Sequence, residues 1–214
     1  MNKTNLFCSS IGKKLIVALA GGFLLVFLLV HLGINLLLLV NDNGTLFNKA
    51  SHFMATNPII WVMQHVLAFG LLLHIIFAII ITLKNWTARP EKYFVANSSE
   101  TSFFSKYMIH TGGIIFVFLV IHLLNFFYKM KFTEMTMTDY ELVRGLFSQW
   151  GYTVLYIVSF VFMGFHLNHA FQSAFQTLGF NHNKYTPTLK IIGLIYSLII
   201  AGGFSAIPIF FLMR

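Results

Sequence analysis

An all-α integral membrane protein with five transmembrane helices is what this sequence predicts. Three observations predict it: an excess of apolar residues, their gathering into five long runs, and the confinement of charge to the segments between runs. With 57% hydrophobic and only 9% charged residues in a chain of 214, a soluble fold of this size would lack a polar coat, so lipid is the expected solvent. No polar stretch is long enough to fold alone, and residues 1–214 read as a single membrane domain.

The first run, residues 15–40, follows Lys3, Lys13 and Lys14. It begins like a signal peptide but continues without a small-residue cleavage site, so it is read as a retained span. Residues 59–83, 108–127, 150–175 and 189–213 follow, each reaching the roughly 20 residues a helix needs to cross hydrocarbon. Trp61, Trp86, Trp150, Tyr107, Tyr128 and Tyr185 fall at the ends of these runs, where amphipathic rings suit the headgroup layer. The connections 41–58 and 129–149 are short and polar, enough to cover a bundle mouth but not to form a domain.

Five crossings place the termini on opposite sides. With the N-terminus inside, nine basic residues (Lys3, Lys13, Lys14, Lys84, Arg89, Lys92, Lys106, Lys184, Lys190) face five outside (Lys49, Lys129, Lys131, Arg144, Arg214). That excess predicts a cytoplasmic N-terminus. The formal charge of +8 would point a soluble protein towards nucleic acid; here the basic residues border apolar runs and read as lipid headgroup contacts, with no nucleic-acid partner expected. Cys8 is the only cysteine and no CxxCH occurs, which excludes an internal disulfide and covalent c-type haem.

Four of the five runs carry histidine: His31; His65 and His74; His110 and His122; His166 and His169. A polar side chain in hydrocarbon is costly enough that function is the default reading, although a single one often serves only an interhelical hydrogen bond. At a rise of about 1.5 Å per residue, His31 and His122 both lie about 24 Å from the inner edge, and His74 and His166 both about 14 Å. Two pairs at two depths suit bis-histidine ligation of two haems, which needs an imidazole on each side of every porphyrin. His169 lies one turn from His166 on nearly the same face, and depth alone does not separate them. Each ligand should be a neutral imidazole with its second nitrogen fixed; the carbonyls four residues earlier, of Phe27, Gly70, Phe118 and Phe162, are the expected acceptors.

His65 and His110 read as wet interfacial residues, and His52 and His182 as loop residues. Apart from Lys190 at the very start of the last run, no Asp, Glu, Lys or Arg falls inside the five runs, so the mid-membrane charges of a proton pump or ion-coupled transporter are missing. Gly21 and Gly112 each precede a histidine by ten residues; close helix packing is the expected reason, in preference to clearance for a haem.

These residues give the chain a resemblance to the cytochrome b subunit of the succinate dehydrogenase and fumarate reductase family, of the type with five helices and two haems in one polypeptide. The resemblance rests on FLLVHLGIN around His31, FNKASHFM followed by Pro58, LLLHIIFAI around His74, FLVIHLLNF around His122, and FHLNHAFQSAFQTLG from Phe165 to Gly179. It implies that His31, His74, His122 and His166 are the axial ligands, paired His31 with His122 and His74 with His166, and that His169 is not one. It further implies two haem b groups, a quinone (menaquinone in this type), and partner subunits holding the FAD and the iron-sulfur clusters. The chain itself would be the electron-transfer and quinone-reactive subunit in a bacterial inner membrane, within a complex that pairs through its membrane parts.

The resemblance also implies a cytoplasmic seat for the flavoprotein and iron-sulfur subunits, formed by the N-terminal segment and the loops 84–106 and 181–190. Ser9, Ser10, Lys13 and Lys14 would meet haem propionates there, and His52, Gln64 and His65 would serve the quinone on the outer side. Some fumarate-reducing members carry a glutamate two residues before the last ligand; Gly164 stands there in this chain, which favours succinate oxidation. The competing readings are a dihaem cytochrome b of a hydrogenase or formate dehydrogenase, a haem-free anchor, and a small transporter.

Overall fold

The computed structural model describes residues 9–87, 107–134, 136–180 and 182–214, apart from the side chain of Ser10. Five helices in it are long and apolar enough to cross a membrane, and no strand occurs among the described residues. The spans are α1 (Ser10–Leu36, continued by a 3-10 turn Leu37–Leu39), α3 (Pro58–Thr87), α4 (Met108–Phe132), α6 (Trp150–Thr177) and α7 (Thr186–Leu212). Between them lie two short helices, α2 (Thr45–Thr56) and α5 (Asp139–Phe147).

Several helix starts are written in local chemistry. Ser9 caps α1, its hydroxyl accepting from the Gly12 N–H at 2.9 Å. At the start of α3, Asn57 Oδ1 accepts from Ile59 and Ile60 N–H at 2.9 and 3.3 Å, and Pro58 occupies the first helical position, where its missing N–H costs nothing. Helix α4 runs five residues beyond the expected end because a π turn, Leu123–Phe127, joins Met108–His122 to Tyr128–Phe132. With the spans extended, Lys13, Lys14, Lys84, Lys129 and Lys131 join Lys190 within the helices, in or near their terminal turns.

The connections 41–58 and 129–149 correct the expectation of plain polar loops: both fold into amphipathic helices. Phe47 of α2 and Leu142, Val143, Leu146 and Phe147 of α5 are buried in the core. The two helices are joined by Ser51 donating to the Asp139 carboxylate and by the Tyr140 N–H donating to Asn48 Oδ1 at 3.0 Å. The FNKASHFM segment thus has a structural task, with Phe47 inside and Asn48 and Ser51 holding α5. Gly44 starts α2 at φ +80°, and a Cβ there would lie 2.1 Å from the Tyr140 ring, so glycine is required both for the backbone and for the ring.

In the bundle α6 is central. It packs most extensively on α7 and also contacts α4 and α1, whereas α3 leans on α1 and little else. Small residues set the closest approaches: a Cβ on Gly164 would meet Ala201 Cβ at 3.1 Å, and one on Gly203 would meet Leu32 at 2.8 Å. Gly164 therefore brings α6 close against α7, where a Cβ would require Ala201 to give by a few tenths of an ångström.

Candidate functional site

Helices α1, α3, α4 and α6 each send one of the four histidines towards a neighbour. The backbones of α1 and α4 are not closely packed, and neither are those of α3 and α6. Imidazoles meet across the first of these gaps. His31 of α1 and His122 of α4 stand ring to ring, centroids 5.9 Å apart and planes at 89°. His74 of α3 lies against Gly21 of α1, and His166 of α6 lies against Gly112 and Thr111 of α4.

Gly21 and Gly112 explain how the second pair reaches inward. The nearest heavy atoms to a Cβ on Gly21 would be His74 Cε1 and Nδ1, both at 3.6 Å; on Gly112 they would be His166 Cε1 at 3.5 Å and Nδ1 at 3.9 Å. These glycines lie against the imidazole of the helix packed on their own, so they serve the close packing of α1 on α3 and of α4 on α6, with a histidine at each point of contact. The same two helices, one helical stretch further on, supply His31 and His122.

The expected carbonyl acceptors are corrected. The ring nitrogens have other neighbours than the carbonyls of Phe27, Gly70, Phe118 and Phe162. His166 Nδ1 lies 3.3 Å from Thr111 Oγ1, and His31 Nδ1 lies 3.5 Å from the Asn35 amide. Nδ1 of His74 and of His122 is buried with no hydrogen-bond partner in the protein. The Thr111 hydroxyl gives its single proton to the Met108 carbonyl at 2.9 Å, so it accepts from His166 Nδ1–H. The remaining nitrogen, Nε2, then carries the free lone pair a metal needs.

These features fit haem in three respects. Metal–imidazole bonds of about 2.0–2.1 Å on opposite sides of one iron put two ring centres roughly 6 Å apart, and the His31–His122 separation is 5.9 Å. Two unpartnered buried nitrogens call for a ligand or another explanation. The imidazoles of His31 and His122 come from two helices whose backbones stay apart, the supply that a group held from both of its faces needs. The surroundings are aromatic: Phe27 stacks on His31 at 5.1 Å, Phe204 lies 5.6 Å from it, and Phe118 and Phe126 flank His122 at 5.8 and 5.3 Å.

The remaining sequence candidates are not brought together. His52 is exposed on α2, Gln64 is half-buried on α3, and His65 Nδ1 bonds the Trp61 carbonyl of its own helix at 2.8 Å beneath the Trp61 ring. His169 is half-buried beside His166. At the other end Ser9 is engaged as the α1 cap, Lys13 is half-buried and Lys14 exposed. The side chain of Ser10, residues 1–8, residues 88–106 and Asn181 lie outside the described residues, and most of the expected seat for partner subunits lies there with them. Sequence reasoning missed Thr111, Asn125 and Tyr156. A hydroxyl or amide among the apolar residues of a span was the available signal for each. Comparison with family models, curated proteins and solved structures yields no match.

Proposed function

We propose that this chain is a membrane cytochrome b with two haems, the anchor and quinone-reactive subunit of a succinate:quinone oxidoreductase in a bacterial inner membrane. The observation that carries the reading is the arrangement of four half-buried imidazoles from four helices, His31 ring to ring with His122, and His74 and His166 seated on Gly21 and Gly112, in a bundle where the paired helices' backbones stay apart. His31 and His122 would hold one haem and His74 and His166 the other. Bound haem supplies reversible one-electron transfer, at a potential tuned by the protein around it. The chain's own residues hold the imidazoles: Gly21 and Gly112 make room, Thr111 fixes the tautomer of His166, and the phenylalanines around His31 and His122 keep water away.

Electrons would come from an iron-sulfur subunit served by a flavoprotein with FAD, and would leave to a quinone, menaquinone by family resemblance. A hydrogenase- or formate-dehydrogenase-type cytochrome, which also joins an iron-sulfur subunit to quinone, is the nearest rival; the FNKASHFM segment and the layout of one ligand histidine per helix speak against it. The test is haem per polypeptide and the reduced-minus-oxidised spectrum of the purified chain with its co-purifying partners. Two low-spin b haems are expected, with His31→Ala and His122→Ala each losing one haem and quinone reduction while succinate oxidation by the flavoprotein persists. An intact preparation without haem, or full quinone reduction by either variant, overturns the reading.

A further inference from the structure

Tyr156 is among the most enclosed side chains in the molecule, with 1% of its surface exposed. Its ring stands in an aromatic cage: Phe118 at 5.1 Å, Phe147 at 5.1 Å, Phe160 at 5.9 Å, Phe126 at 6.1 Å and His122 at 6.2 Å. Phenylalanine would fill that space without burying a hydroxyl, and a buried hydroxyl is unfavourable unless it is bonded. Its partner is Asn125, whose amide donates to the Tyr156 hydroxyl at 3.1 Å. Asparagine is itself an uncommon choice at this depth. Two polar side chains that are each unfavourable alone, kept as a bonded pair, mark a specific task.

The position of Asn125 says what the task is. It lies in the π turn Leu123–Phe127, which begins directly after His122. Such turns are strained insertions that concentrate at functional sites, and the bond to Tyr156 ties this one to α6. His122 differs from His166 in having no hydrogen bond to its free ring nitrogen. Packing alone orients it, between Phe118, Phe126, His31 and Tyr156. The residue that fixes the turn after His122 therefore fixes the ring.

We propose that Asn125 and Tyr156 are a positioning pair for His122, setting its ring orientation and with it the properties of the His31–His122 centre. The proposal rests on the cytochrome reading. Rings around a ligand tune a metal through its geometry and its shielding from solvent, so the pair should be legible in one centre and silent in the other.

The test uses the purified full chain with its partners, comparing wild type with Tyr156→Phe, Asn125→Leu and the conservative Asn125→Gln. Readouts are haem per chain, low-temperature electron paramagnetic resonance and potentiometric titration. Tyr156→Phe and Asn125→Leu are expected to retain both haems while shifting the low-spin signal and the midpoint potential of one. That signal is the one abolished by His122→Ala, and Asn125→Gln returns it towards wild type. Unmoved signals in both variants, or equal change or loss of both haems, overturn the proposal while leaving the cytochrome reading intact. A wild-type preparation without low-spin haem overturns that reading and, separately from any variant, the proposal built on it.

Discussion

Gly21 and Gly112 act through the volume they leave free, and that makes them sensitive probes at the scale of a single residue. A methyl on either would touch the facing imidazole at 3.5–3.6 Å, an ordinary contact, and alanine removes the roughly 0.5–1 kcal/mol penalty of glycine within a helix. Gly21→Ala and Gly112→Ala are therefore expected to leave thermal stability unchanged or slightly raised. Gly21→Leu and Gly112→Leu have no such room and should cost about 1–3 kcal/mol through overpacking, with displacement of His74 or His166. Thermal unfolding in detergent checks the first pair, and haem content, expected to fall to about half, checks the second. The glycine-to-histidine spacing was visible in the sequence. That each glycine faces the histidine of a different helix was not, because depth along a helix carries no information about the direction in which a side chain points.

At the scale of an element, α5 has only nine residues, too few to be stable alone in water, and survives by docking and by its cap. Thr138 accepts from the Glu141 N–H at 3.3 Å, and Glu141 in return accepts from the Thr138 N–H at 2.7 Å. Thr138→Ala is expected to cost about 1 kcal/mol, read as faster hydrogen exchange confined to α5. The Thr138 N–H, aided by its hydroxyl, holds the Glu141 carboxyl below the usual carboxylate range. Since the folded value is the lower one, the contribution of Glu141 is complete above its unfolded value and is lost as pH falls through the folded value. Protection of α5 should thus decline on acidification in wild type but not in Glu141→Gln, whose amide stays neutral. The T-x-x-E pattern and the buried Leu142, Val143, Leu146 and Phe147 make α5 legible in hindsight; a search for apolar runs long enough to span a membrane passes over a helix this short.

At the scale of the molecule, five spans place Lys49 and Lys184 at opposite ends of the bundle, both exposed. In a Cys8→Ser background, Lys49→Cys should react with an impermeant maleimide on intact spheroplasts, and Lys184→Cys only after lysis. The reverse pattern would invert the orientation drawn from the basic residues. The bundle those spans form is uneven, with α6 and α7 locked at Gly164 and Ala201 and α3 held to α1 with no buried residue of its own.

The sequence by itself determined the number and order of the spans, and which span carries which histidine. Span length and hydropathy are local properties. Only the tertiary structure decided direction: that His31 meets His122 ring to ring, that Gly21 and Gly112 receive the other two rings, and that His166 alone among them has a hydroxyl at its Nδ1. It also decided the π turn after His122 and the bond from Asn125 to Tyr156. Direction around a helix is fixed by which neighbours pack against it, and those neighbours are chosen by the whole bundle rather than by any one run of residues.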